Sequence, residues 1–121
     1  MPARKVLAVD DSAADLTNIK NVLTEAGCVV VTATNGKEAI DRAKADKPDM
    51  IFLDILMPEM DGYETCRMLA NNPDTKSIPV VFVTSKGQKA DRVWAQMQGG
   101  KDLVQKPYTK DQIIEMFKHA A

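Results

Sequence analysis

The stretch Val6-Leu7-Ala8-Val9-Asp10-Asp11-Ser12, "VLAVDDS", decides the fold. Its four apolar residues run without the alternation of a half-solvated strand, which predicts a strand buried on both faces. Such strands belong to parallel sheets covered by helices on each side. This one ends in two adjacent carboxylates, which repel one another and raise each other's proton affinity unless a positive charge stands nearby. Asp10 and Asp11 are therefore either a solvated turn or part of a cation site.

Outward from that stretch, short apolar runs alternate with helical periodicity. Ile19, Val22, Leu23 and Ala26 share one helix face, and Gly27 stops that helix. Cys28-Val29-Val30-Val31 reads as a second strand. Asn35-Gly36 opens a second helix with Ala39, Ile40 and Ala43 inward, closed near Lys47-Pro48. Met50-Ile51-Phe52-Leu53 is a third strand ending in Asp54, and a loop from Ile55 to Gly62 leads to a helix over Tyr63–Leu69. Asn71-Asn72-Pro73-Asp74 breaks that helix before a fourth strand, Val80–Val83, which ends in Thr84-Ser85. Ala90, Val93, Trp94 and Met97 form the expected inner face of a fourth helix that stops at Gly99-Gly100. Leu103-Val104-Gln105 is a short fifth strand ending at Lys106-Pro107. Thr109 and Gln112 have capping-box spacing at the start of a last helix, with Ile113, Ile114 and Phe117 inward.

Five βα units imply a mainly parallel sheet with helices on both faces. Closing eight units into a barrel takes about 250 residues. A chain of 121 residues therefore predicts an open, doubly wound sheet in one domain. Ligands of such sheets bind outside the carboxyl ends of the strands.

Composition bounds the function. The chain is 45% hydrophobic and 27% charged with a formal net charge of −1, against a general nucleic-acid or membrane-surface binder. No apolar run approaches the roughly 18 residues of a membrane span. Met1–Lys5 lacks the apolar core of a signal peptide, so the cytoplasm is the expected location. Cys28 and Cys66 read as small apolar filler, and His119, the single histidine, as a charge at a helix C-terminus beside Lys118. Neither a His-based triad nor a zinc site is supported. Met57, Met60, Met68, Met97 and Met116 are expected in core or loop packing, and Trp94 in the core. Lys86, Lys89, Arg92 and Lys101, opposed by Asp91 and Asp102, make either a solvated or a docking face around the fourth helix.

At the strand ends stand Asp10, Asp11, Asp54, Thr84 and Lys106. Carboxylates without His or Cys suit a hard, oxygen-liganded cation, Mg²⁺ above all. An Asp can be a nucleophile that becomes an aspartyl phosphate. In one reaction, Asp54 attacks a phosphorus while Mg²⁺ held by Asp11 and Asp54 neutralises phosphoryl oxygens. Lys106 adds a second positive charge, and Thr84 a hydroxyl donor. Singly, each is an ordinary cap, turn or strand-end residue. Together, on one rim, they form a constellation.

Asp10-Asp11, "IFLDILMPEMDG" around Asp54, "VVFVTS" ending in Thr84-Ser85, and Lys106-Pro107 closely resemble the receiver domain of two-component response regulators, over essentially the whole chain. The resemblance implies a flavodoxin-like, five-stranded parallel sheet in order 2-1-3-4-5 with five helices on two faces. It implies that residues 1–121 are a single receiver domain without an output domain, of the chemotaxis or twitching-motility type. Asp54 is then the phospho-acceptor, supplied by a histidine kinase or histidine phosphotransfer protein, and the chain is a signalling protein rather than an enzyme. Mg²⁺ would be held by Asp11, Asp54 and the backbone carbonyl of Leu56, with Asp10 acting indirectly. Thr84 and Lys106 would bind the phosphoryl group, and the Lys106–Pro107 bond would be cis. Output would pass to a protein target at the face of the fourth helix, fifth strand and fifth helix, from a monomer or weak dimer.

Two positions depart from the family pattern. Leu103 replaces the aromatic residue that usually turns inward on phosphorylation, so an altered or weaker switch is expected. Leu56 and Lys86, two positions after Asp54 and Thr84, offer no acid or amide to orient water, so slow self-dephosphorylation is expected. A haloacid-dehalogenase-type phosphatase would want an acid where Leu56 stands. A flavodoxin-like cofactor site would want a hydroxyl- and glycine-rich loop where Asp10-Asp11 stand. The intact five-residue set disfavours a degenerate receiver kept as a scaffold.

Overall fold

The computed structural model describes residues 4–85 and 92–120. Five strands, β1 (Lys5–Val9), β2 (Val29–Ala33), β3 (Met50–Asp54), β4 (Val80–Thr84) and β5 (Asp102–Gln105), form one sheet. Every pairing is parallel, in the order β2-β1-β3-β4-β5. The connecting helices are α1 (Ala13–Glu25), α2 (Gly36–Asp46), α3 (Gly62–Ala70), α4 (Arg92–Met97) and α5 (Lys110–Glu115), the last continued by a 3-10 turn, Met116–His119. This is the doubly wound sheet that the alternating pattern predicts.

Strand periodicity divides the core in two. Leu7, Val9, Ile51, Leu53 and Phe82 point to one face, under α2, α3 and α4, and meet Ala39, Ala43, Cys66, Leu69 and Ala95. Val6, Ala8, Met50, Phe52, Val81 and Val83 point to the other and meet Ile19 and Leu23 of α1 with Ile113 and Met116 at the C-terminal end. The central strands β3 and β4 are buried at every residue, which is why their sequences are continuous apolar runs rather than alternating ones.

Some expectations are revised. Cys28 stands before β2, because its N–H closes the end of α1 on the Leu23 carbonyl at 3.1 Å instead of joining the ladder. On α4, Val93, Trp94 and Met97 are exposed (67%, 45% and 70%), and Ala95 takes the buried face. Little room remains between this short helix and β4: a Cβ on Gly100, just beyond it, would fall 2.5 Å from the Phe82 ring. Only a small side chain fits there. Trp94 instead lies edge-on against Tyr63, with centroids 6.3 Å apart, and Tyr63 against Phe82 at 5.0 Å. Ala90 lies outside the described residues.

Met57 and Met116 are buried and Met60 packs against the core, but Met68 and Met97 are exposed. Met116 rather than Ile114 completes the inner face begun by Ile113, and Phe117 is half-buried against it. The capping box of Thr109 and Gln112 is present in both directions. His119 does more than complement a helix end. Its Nε2 lies 3.0 Å from Asp102 Oδ2, while Arg92 Nε lies 2.6 Å from Asp102 Oδ1. Burial alone would raise the Asp102 pKa, but the bonds from His119, the Leu103 N–H and Arg92 outweigh it and hold it below its ordinary value. This acid therefore ties α4, β5 and the final turn together.

The loop after β3 folds tightly over the strand end. Gly62 N–H donates to the Ile55 carbonyl at 2.8 Å, and a Cβ there would strike the Asp54 carbonyl oxygen and stand 2.8 Å from Ile55 Cα. Because the obstacle is backbone, a side chain cannot rotate away to relieve it. Gly62→Ala should therefore cost about 1–3 kcal/mol of stability, read as a lower urea midpoint. An unchanged midpoint would show that the loop has slack.

Candidate functional site

A parallel sheet puts the carboxyl ends of its strands on one rim. Val9 of β1 pairs with Leu53 of β3, Asp54 of β3 with Val83 of β4, and Thr84 of β4 with Gln105 of β5. The next residues off β1 and β5 are Asp10 and Lys106. Residues distant in sequence thus reach one level for a reason that lies wholly in strand register.

Asp10 is buried and fully engaged. One oxygen, Oδ1, accepts the Ser12 N–H at 2.9 Å, and the other, Oδ2, accepts Lys106 Nζ at 2.7 Å. Asp11 faces solvent. Asp54 is 5% exposed, and its Oδ1 lies 3.8 Å from Lys106 Nζ. Carboxylate oxygens of Asp10, Asp11 and Asp54 all lie within 4.8 Å of one another. Three hard oxygen donors at that spacing fit a divalent cation such as Mg²⁺.

The charge balance shows in proton affinities. Burial and the neighbouring carboxylates of Asp10 and Asp11 raise the Asp54 pKa to about 7, against the lowering effects of Lys106 and the Ile55 N–H. Burial by itself would weaken the Lys106 ammonium's hold on its proton. Hydrogen bonds to Asp10 and Asp15, with the charges of Asp54 and Asp10, instead push it up to about 12. Lys106 is aimed from the backbone: its N–H donates to the Thr84 carbonyl at 2.6 Å, and the Lys106–Pro107 bond is cis.

Asp10, Asp11, Asp54 and Lys106 therefore converge as the sequence predicts, and Thr84, 2% exposed, ends the neighbouring strand. Leu56 is 55% exposed on the loop after Asp54, and Leu103 is half-buried against the α3/α4-side core. Lys86, Lys89 and Asp91 lie outside the described residues. Sequence reasoning missed Asp15 of α1, whose Oδ2 accepts Lys106 Nζ at 3.0 Å. The available signal was its place in the first turn of the helix that leaves the rim. It also missed the bond from Asn18 Nδ2 to Tyr108 Oη, 3.3 Å, which links α1 to the segment after β5. No local pattern marks that pair.

Residues 6–118 match the family model for the response regulator receiver domain. Protein PilH of Pseudomonas aeruginosa is 34% identical over 111 residues, covering 92% of each chain. Chemotaxis protein CheY of Listeria monocytogenes is 39% identical over 119 residues, 97% of this chain and 98% of that one. Among solved structures, Vibrio cholerae chemotaxis protein CheY4 superposes with a TM-score of 0.89 at 27% identity, covering 99% of this chain and all of that one.

The raised Asp54 pKa has a consequence for stability. From the ordinary carboxylate value of 3.8 up to about 7, the folded chain retains a proton that the unfolded chain has lost. Stability should accordingly fall as pH rises through that window. Thermal melts without divalent cations should show wild type losing stability relative to Asp54→Asn across it. Parallel curves would contradict the assignment.

Proposed function

The chain belongs to the response regulator receiver domain family, and on that premise we propose that it is a stand-alone, Mg²⁺-dependent phospho-acceptor of the chemotaxis or pilus-motility class. The observation that carries this reading is the convergence of three carboxylates, within 4.8 Å of one another, beside the Lys106 ammonium at one sheet rim. The phosphodonor is a phosphohistidine on a histidine kinase or phosphotransfer protein. An Asp54 carboxylate oxygen attacks phosphorus, the phosphorus–nitrogen bond breaks, and its electron pair leaves with the imidazole.

Asp11, Asp54 and the Leu56 backbone carbonyl would hold the metal, with Asp10 acting through water or a hydrogen bond. When bound, Mg²⁺ supplies positive charge that neutralises the phosphoryl oxygens. Lys106 donates to one phosphoryl oxygen and the Thr84 hydroxyl to another. The chain assists its own phosphorylation and dephosphorylation. Exposed Leu56 offers water no orienting group, which supports a long-lived phosphoryl state; its expected partner in this effect, Lys86, lies outside the described residues.

Output passes by protein contact at the α4/β5/α5 face, in the cytoplasm, from a monomer or weak dimer. Among the described residues, no helix is long and apolar enough to cross a membrane. Asp102 braces that face through Arg92 and His119, and Leu103 lies on it where receivers usually carry an aromatic residue. Leucine can repack when Thr84 moves, but it has no ring to swing between solvent and core.

Incubation with Mg²⁺ and acetyl phosphate should add one base-labile phosphoryl group to Asp54, seen by mass spectrometry. Failure to label, or label that survives Asp54→Ala, would overturn the proposal. Leu103→Tyr should change either affinity for the output partner or its dependence on phosphorylation. An identical binding curve with and without phosphodonor in both proteins would remove Leu103 from the switch.

A further inference from the structure

Lys106 has one carboxylate partner that the constellation at the rim does not require. Its ammonium carries three donors. One goes to Asp10 Oδ2 at 2.7 Å and another to Asp15 Oδ2 at 3.0 Å, leaving Asp54 Oδ1 at 3.8 Å, outside hydrogen-bond distance. Lys106 is thus drawn toward α1 and held short of the acceptor.

The local sequence explains why Asp15 is available. Ser12 caps α1, and its Oγ accepts the Asp15 N–H at 3.3 Å. In a reciprocal capping box, the acid at this third helical position would turn back to the N-cap N–H. Here that N–H is already taken by Asp10 Oδ1, 2.9 Å away. The Asp15 carboxylate is therefore released from capping and reaches across the rim to Lys106. Its side chain is 48% exposed whereas that of Lys106 is 14% exposed, so Asp15 meets the ammonium from the solvent side. Both line an open cleft with Asn18, Ser85, Pro107 and Tyr108.

We propose that Asp15 is a positioning residue that tethers Lys106 in the unphosphorylated protein and must release it when a phosphoryl group forms on Asp54. The tether rests on the phospho-acceptor reading above. It opposes phosphorylation, because the donor held by Asp15 is withheld from a phosphoryl oxygen until the ammonium moves. A half-exposed ion pair is a weak restraint, suited to a contact that opens in each cycle.

Asp15→Asn preserves the backbone N–H that Ser12 caps and removes the charge. The rate of Asp54 phosphorylation by acetyl phosphate should rise about threefold at saturating donor, as loss of a weak ion pair allows. The half-saturating donor concentration should change little, and the gain should shrink at high salt, which screens the half-exposed pair in wild type. In the unphosphorylated variant, the NMR resonance of the Lys106 Cε methylene should shift, reporting a changed ammonium environment. An unchanged saturating rate, a gain confined to half-saturation, or an unmoved Lys106 resonance would each overturn the tether. Absence of label on Asp54 in wild type would instead refute the phospho-acceptor reading.

Discussion

Crowding of like charge at the sheet rim is the constraint on which the molecule is organised. Two carboxylates 5 Å apart repel by about 3 kcal/mol at an effective dielectric of 20, and three such groups meet here. Lys106, 2.7 Å from Asp10, offsets part of that repulsion. Exposure of Asp11 relieves more, and what remains adds to burial in raising the proton affinity of Asp54. Among the described residues the rim is under-neutralised, and that shortfall of positive charge suits it to a divalent cation.

A site under such stress keeps its geometry only if its supports do not yield. The three inner strands supply this: β1 and β3 are flanked on both sides, β4 is buried throughout, and each face is sealed by its own apolar cluster. The rim residues ride on strand ends whose relative heights are set by ladder register. Loop contacts then refine the placement, as where Gly62 lets the chain press against the end of β3.

Most of this was legible in the sequence because its causes are local or periodic. Doubly buried strands announce themselves as continuous apolar runs, and parallel order brings Asp10, Asp54, Thr84 and Lys106 to one edge by topology alone. Helix faces were less readable where they are short. Val93, Trp94 and Met97 have helical spacing, yet spacing cannot say that the gap above β4 admits only Ala95 and leaves Trp94 outside. The β2 boundary moved because the Cys28 N–H serves a helix end. The contacts of Asp15, Asp102 and Tyr108 escaped notice for another reason. Their partners lie far along the chain, and such side-chain pairs carry no pattern until the fold brings them together.

The single tryptophan has a physical consequence of its own. The Trp94 indole is roughly half in water and stands edge-on to Tyr63, which in turn meets Phe82, two residues before Thr84 on β4. Light absorbed by this ring is re-emitted at a wavelength set by how much water surrounds it. A rearrangement that slides α4 along α3 thus carries its own optical signature, and the fold holds a native chromophore at the junction between the rim and the surface that would display its state.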